Sequence, residues 1–212
     1  MASCMIHLYT GWRYTQANPR WLDSPSFYLG CIAPDSVNTD GFADKSTRWR
    51  AHLRAETLDQ WEQNVAAFAL AHPAPEDPAL LDGYLIHLLT DILWDRFFHD
   101  AIWSRAKQLD PVPRHGFAPG WTECFRWDRQ QMQAPWWKQS VRPVLAQAHP
   151  TSINGISPAL LGKYQQFVLQ EYEATLPAEQ PLLLSMDTIA DLADRLIEEK
   201  RRLDTEMPPI NR

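Results

Sequence analysis

Between its proline breaks the chain carries apolar residues at the three- and four-residue spacing of helices, and the pattern predicts a mostly α-helical protein. A first helix is expected from Met5 to Ala17, with Ile6, Tyr9 and Tyr14 near one face and Asn18-Pro19 as its stop. Ser26 to Ile32 reads as a short helix or turn ended by Ala33-Pro34-Asp35, and Phe42 to Arg54 as a further helix. Thr57-Leu58-Asp59-Gln60 has the form of a capping box and opens a helix through Ala71, stopped by His72-Pro73. After the proline-rich stretch 74–78, a long helix is expected from Ala79 to Lys107. Leu109 to Ala148, dense in Pro and Trp, is expected to be the least regular part. Ser157-Pro158 starts a helix to about Ala174, and Ser185 begins a strongly amphipathic last helix to Asp204.

One run breaks the ordinary pattern. Gly83-Tyr84-Leu85-Ile86-His87-Leu88-Leu89-Thr90-Asp91-Ile92-Leu93-Trp94 is apolar throughout except that His87 and Asp91 stand four residues apart, on one helix face. A carboxylate is among the groups least often buried, because its desolvation costs several kcal/mol (~2–7 even for a neutral polar group) unless it is paired or bound to a metal. His87 and Asp91 therefore need partners. The upstream candidates are His7, Asp35 after Ala33-Pro34, and His52 in Trp49-Arg50-Ala51-His52-Leu53. Three imidazoles and two carboxylates are a ligand set for Zn²⁺, Fe or Mn²⁺.

Length and composition narrow the class. A chain of 212 residues with 45% hydrophobic content can bury one sizeable core, so a single domain over 1–212 is expected. The net charge of −6 offers no basic footprint for a polymeric nucleic acid or an anionic lipid surface, whereas a small phosphoester remains compatible. No signal-like start and no uncharged run of the ~18 residues needed for a membrane span is present, so a cytoplasmic protein is expected. Three widely spaced cysteines, Cys4, Cys31 and Cys124, argue against both a disulfide framework and a thiolate zinc site. Homo-oligomerisation is left open.

Phe27-Tyr28-Leu29-Gly30-Cys31-Ile32-Ala33-Pro34-Asp35, then Lys45 with His52-Leu53, then Gly83-Tyr84-x-x-His87-x-x-x-Asp91, with His7 near the start, resembles the zinc-dependent phospholipase C family, in particular its signal-less bacterial members. The resemblance covers roughly residues 1–100. It implies an all-α bundle of the phospholipase C/P1 nuclease-like kind with a central metal site, and hydrolysis of a small phosphoester by a metal-activated water. Asp35, His52, His87 and Asp91 would surround one ion, Zn²⁺ before Fe or Mn²⁺; His7 with a bridging Asp91 would hold a second. By the same resemblance Asp35 is the catalytic carboxylate that orients or deprotonates the water. Secreted members use a processed tryptophan N-terminus as a ligand and complete a third site with a distant His and His-x-x-x-Glu. Here Met1-Ala2-Ser3-Cys4-Met5 precedes His7, and His99, His115 and Glu123 do not reproduce that spacing, so one or two ions are expected rather than three.

Two other interpretations stand beside this one. His99-Asp100 resembles the dipeptide of the HD phosphohydrolases, although Ile102-Trp103 follow where small residues are usual. The non-enzymatic alternative is a helical scaffold around a structural metal or a His–Asp network. Nucleophilic catalysis has less support: Ser36 lies in no Gly-x-Ser-x-Gly elbow and Cys31 has no positioned base in the sequence. Tyr84 and Thr90 are expected as packing or ligand-orienting residues. Among the ten tryptophans, Trp121, Trp127, Trp136 and Trp137 are expected to form a satellite core, or a pocket wall in which Arg126, Arg129 or Lys138 meets a phosphate.

Overall fold

Most helices begin where a side chain or a proline deals with the first free N–H groups. In the computed structural model, which describes residues 2–72, 76–113 and 116–206, these starts lead into α1 (Cys4–Ala17), α2 (Pro25–Gly30), α3 (Lys45–Ala51), α4 (Leu58–Ala71) and α5 (Pro78–Phe97). They continue into α6 (His99–Leu109), α7 (Pro119–Gln131), α8 (Arg142–Leu145), α9 (Pro158–Gln170), α10 (Tyr172–Thr175) and α11 (Met186–Glu206). Asp44, Thr57, Asp77 and Ser157 accept the backbone N–H groups of Thr47, Gln60, Leu80 and Leu160, at the starts of α3, α4, α5 and α9. The described residues contain no strand; Ile153 and Ile156 form an isolated bridge. Pro73 to Pro75 and His115, named above, lie outside the described residues.

The all-helical expectation holds, although the helix expected to about Ala174 is interrupted at Glu171, whose φ of −119° separates α9 from α10, and three larger differences stand beside it. The helix expected over 42–54 is shorter because Asp44 caps α3 late and Leu53, with φ of 51°, leaves helical geometry early. The long helix expected to Lys107 divides at Phe98, whose φ of −123° ends α5 before α6 starts. The segment expected to be least regular contains α7 and a π-helical turn over Trp136–Val141. α7 evades an apolar-periodicity reading because its inward face carries Thr122, Glu123, Arg126 and Asp128 beside Cys124 and Trp127.

α5 is the axis of the bundle. It is apolar on every side, as befits a helix enclosed by others, and α1, α2, α4 and α11 pack around it. The α2–α5 contact is the tightest because it is made through glycine. A Cβ added at Gly83 would lie 1.9 Å from the Phe27 carbonyl oxygen, and one at Gly30 would lie 2.3 Å from the Leu80 oxygen. One continuous cluster of buried apolar side chains extends from Ala2 to Leu203. No described helix is long and apolar enough to cross a membrane.

Candidate metal centre

The backbone approach at Gly83 sets the site one turn further along α5. With α2 pressed against α5, the Cys31 carbonyl lies 2.8 Å from His87 Nδ1. A carbonyl can only accept, so Nδ1 carries the proton and Nε2 presents a lone pair to the bundle interior. His52 is oriented in the same manner by the Arg48 carbonyl, 2.8 Å from its Nδ1. Its backbone is held with unusual completeness. The carbonyls of Ala51, His52 and Leu53, left free by the end of α3, accept from the Tyr84 hydroxyl (2.5 Å), Trp61 Nε1 (2.7 Å) and Asn64 Nδ2 (3.0 Å), and the Arg50 carbonyl, which also accepts the Leu53 N–H, accepts from Asn154 Nδ2 (3.0 Å). Leu53's left-handed backbone is thus maintained by tertiary contacts.

The remaining residues arrive from α1 and from the 3-10 turn Pro34–Asn38. The imidazole of His7 lies flat against that of His87, ring centres 3.6 Å apart and planes 8° from parallel. Asp35, whose side chain is 14% exposed, points one oxygen at His52 Nε2 from 3.4 Å. Asp91 is wholly buried, with Oδ1 3.5 Å from His7 Nε2 and Oδ2 3.6 Å from His87 Nε2 and 3.7 Å from His52 Nε2. The Ala2 backbone N–H donates to Asp91 Oδ1 at 2.6 Å.

These separations are too long for hydrogen bonds, and His7 Nε2, His52 Nε2, His87 Nε2 and Asp91 Oδ2 are buried without any hydrogen-bond partner. A plain His–Asp network would contract to contacts near 2.8 Å. At Zn–N and Zn–O bond lengths of ~2.0–2.2 Å, two ligand atoms of a tetrahedral ion stand about 3.3–3.6 Å apart. The donor set, nitrogen and carboxylate oxygen without sulfur, therefore suits a divalent transition ion, and the protein has buried His/Asp groups able to hold one. Two triads bring their ligand atoms within 4.8 Å of one another, His7–His87–Asp91 and Asp35–His52–His87. They share His87, whose single free lone pair can serve one ion.

Burial, then the neighbouring His7, lowers the His87 pKa to about 4, so at neutral pH it needs no deprotonation to ligate. Burial opposes ionisation of Asp91, yet His7 and the facing imidazoles outweigh it and hold the carboxylate well below its usual range. Asp35 and His52 form a similar pair: desolvation works against both charges, but their mutual contact, with His87 and Asp91 alongside, keeps Asp35 low and His52 raised.

All five expected residues thus meet in one buried cluster. Tyr84 orients the His52 segment, whereas Thr90 bonds the Ile86 carbonyl and the Thr10 hydroxyl rather than a candidate ligand. Trp61, Asn64 and Asn154 are positioning residues that the sequence did not single out; only the local signal of Asn and Trp beside a helix end could have suggested them. His99 and Asp100 pair with each other at 2.9 Å on the surface, Asp100 98% exposed, and belong to neither triad. Ser36 donates to the Ala33 carbonyl, and the three cysteines are buried free thiols whose pKa values burial raises. Trp127, Trp136 and Trp137 are core residues, while Trp121 lines a cavity. The cation expected there is engaged elsewhere: Arg126 pairs with Asp110, and Arg129 donates to the carbonyls of Glu173 and Leu176. Comparison of the chain with protein-family models, curated proteins and solved structures gives no match.

Proposed function

We propose that the protein is a metal-dependent phosphoester hydrolase, similar in kind to the zinc-dependent phospholipases C, with His7, Asp35, His52, His87 and Asp91 as its ligand set. The observation that carries this is the convergence of the Nε2 atoms of His7, His52 and His87 with Asp91 Oδ2, all buried without a hydrogen-bond partner, each Nε2 lying 3.5–3.7 Å from an Asp91 oxygen. His87, His52 and Asp91 with Asp35 are the ligands for one ion. His7 and Asp91 Oδ1 are available to a second, which would have to be bridged by Asp91. When bound, a Zn²⁺, Fe or Mn²⁺ ion supplies Lewis acidity that lowers the pKa of a coordinated water towards ~7 and polarises a phosphoryl oxygen. Asp35 has the position to orient that water and take its proton, because it alone among the five is partly exposed and lines a cavity. The cavity also favours catalysis over a structural metal, since structural sites are closed and catalytic ones keep an open position. His87 and His52 hold their Nε2 lone pairs inward by donating through Nδ1.

Protein produced without a histidine tag in metal-supplemented medium is expected to retain about one transition metal ion per chain. It should hydrolyse a chromogenic phosphodiester slowly, losing the activity to a chelator and regaining it with Zn²⁺, Mn²⁺ or Fe²⁺. Stoichiometric absence of metal would overturn the assignment. Metal without turnover on a broad ester panel would leave the structural scaffold. His99→Ala and Asp100→Ala should change neither metal content nor stability beyond about ±0.5 kcal/mol; loss of metal in either would transfer the site to the HD-type dipeptide.

A further inference from the structure

A cavity of about 300 Å³ lies beside Asp35 and the Ala2–Cys4 segment, which links it directly to the metal centre. Its wall is aromatic. Trp121 stacks on Phe125 with ring centres 5.7 Å apart, Phe117 meets Phe125 edge-on at 4.9 Å, and Phe167 contacts Tyr172 at 5.6 Å. Phe42 and Phe117, 68% and 40% exposed, stand at its mouth, an unusual outlay of apolar surface. No Lys, Arg or His is among the described lining residues. A single divalent ion held by Asp35 and Asp91, the occupancy expected of the purified protein, carries no net charge with its ligands. A dianionic monoester, a nucleotide or a sugar phosphate would therefore bring negative charge to a lining that offers no cation among its described residues; Arg48 lies over the outer Phe42 ring, 4.5 Å from its centre, and donates to the Ala43 carbonyl. At ~30 Å³ per water-sized group the cavity admits about ten such groups, enough for one or two fused rings and too few for a pair of long acyl chains.

We infer that this cavity seats an uncharged one- or two-ring aryl group, and that the substrates are monoanionic phosphodiesters bearing such a group. The substrate assignment rests on the hydrolase reading above, but the cavity's affinity for the ring does not. Edge-to-face and stacked contacts with Phe125, Phe117 and Trp121 select for aromatic rings, and Asp35 at the inner end sets the phosphoryl group next to the centre.

The test is equilibrium dialysis of 2-naphthol against both as-isolated and chelator-treated full-length protein, with glucose 1-phosphate as the charged comparison. Saturable binding at one site per chain in both forms is expected, with none for glucose 1-phosphate. Phe117→Ser should weaken it about fivefold, the value of one lost aromatic contact. Thr175→Trp, at an exposed lining position, should fill the cavity and abolish it. Equal melting temperatures would show that both variants fold. No saturable binding, or equal binding in both variants, overturns the assignment. 2-Naphthol should also compete with the phosphodiester in turnover. Naphthol that binds without competing overturns the substrate role of the cavity. Turnover without naphthol binding sinks the aryl site and leaves the hydrolase reading, whereas binding without turnover on any ester does the reverse.

Discussion

α5 and α7 both bury carboxylates, and they do so in opposite ways. On α7, Glu123 accepts the backbone N–H groups of Leu182, Leu183 and Leu184 at 3.0, 2.5 and 2.8 Å, filling both oxygens. Asp128 accepts from the Ser3 hydroxyl at 2.6 Å, the Met5 N–H at 3.3 Å and the Tyr172 hydroxyl at 2.5 Å. On α5, Asp91 Oδ2 has no hydrogen-bond partner, and three imidazole nitrogens aim at the same region without one. Equal burial thus has two meanings. A carboxylate whose lone pairs are filled by the chain ties segments together; one whose neighbours are also left unfilled marks a place for something else.

The sharpest way to break this contrast is His87→Ala. It removes a ligand, leaves the Cys31 carbonyl without a donor and strands part of the Asp91 charge, so metal should be lost together with ~3–5 kcal/mol of stability. Elemental analysis and denaturant unfolding measure the two; retained metal would show that the ion does not depend on His87, the residue both triads share, and would overturn this ligand set. Gly83→Ala approaches the same site through the backbone. Its Cβ would meet the Phe27 carbonyl at 1.9 Å, forcing α2 away and with it the Cys31–His87 bond. A cost at the upper end of ~1–3 kcal/mol is expected, with weakened metal retention. Glu123→Gln is the complementary probe on α7. The amide offers a donor where the carboxylate accepted, leaving at least one N–H of the 182–184 segment unmet, at ~1–3 kcal/mol, while metal content stays at the wild-type level. A loss of metal in this variant would erase the distinction between the two helices.

The smallest expected effect is in pH dependence. Burial, against lowering by Ser3 and Tyr172, raises the Asp128 pKa to about 7. The folded chain then holds this proton more tightly than the unfolded one. The associated stability is complete below the ordinary carboxylate range and is lost as pH rises towards about 7. In melting curves of wild type and Asp128→Asn, the wild type should show an additional decline over that interval. Parallel curves would mean that the three donors keep Asp128 ionised throughout.

Two helix starts were legible in the sequence because capping is local: Thr57 and Ser157 act on N–H groups three residues away, as Asp77, not singled out in the sequence, also does. The candidate site was legible where its residues violate their own surroundings, as His87 and Asp91 do in an apolar helix. α7 was not legible, because paired charges facing inward look in sequence like a solvated face. The break at Phe98 was hidden for the opposite reason: the apolar pattern runs on from α5 into α6, and no proline or glycine marks the change of direction. The tryptophans divided between core and cavity wall according to which neighbours they met.

By itself the sequence determined the helical class, the caps at Thr57 and Ser157 and the five residues able to act as ligands, since each of these depends on near neighbours and on side-chain chemistry. Only the tertiary structure decided that the five converge, that Nδ1 of His52 and of His87 is occupied while Nε2 is free, and that Asp35 adjoins an aromatic cavity with no cation among its described lining residues. Those features are set by distances between segments far apart in the chain, of which the glycine-mediated approach of α2 to α5 is the determining one.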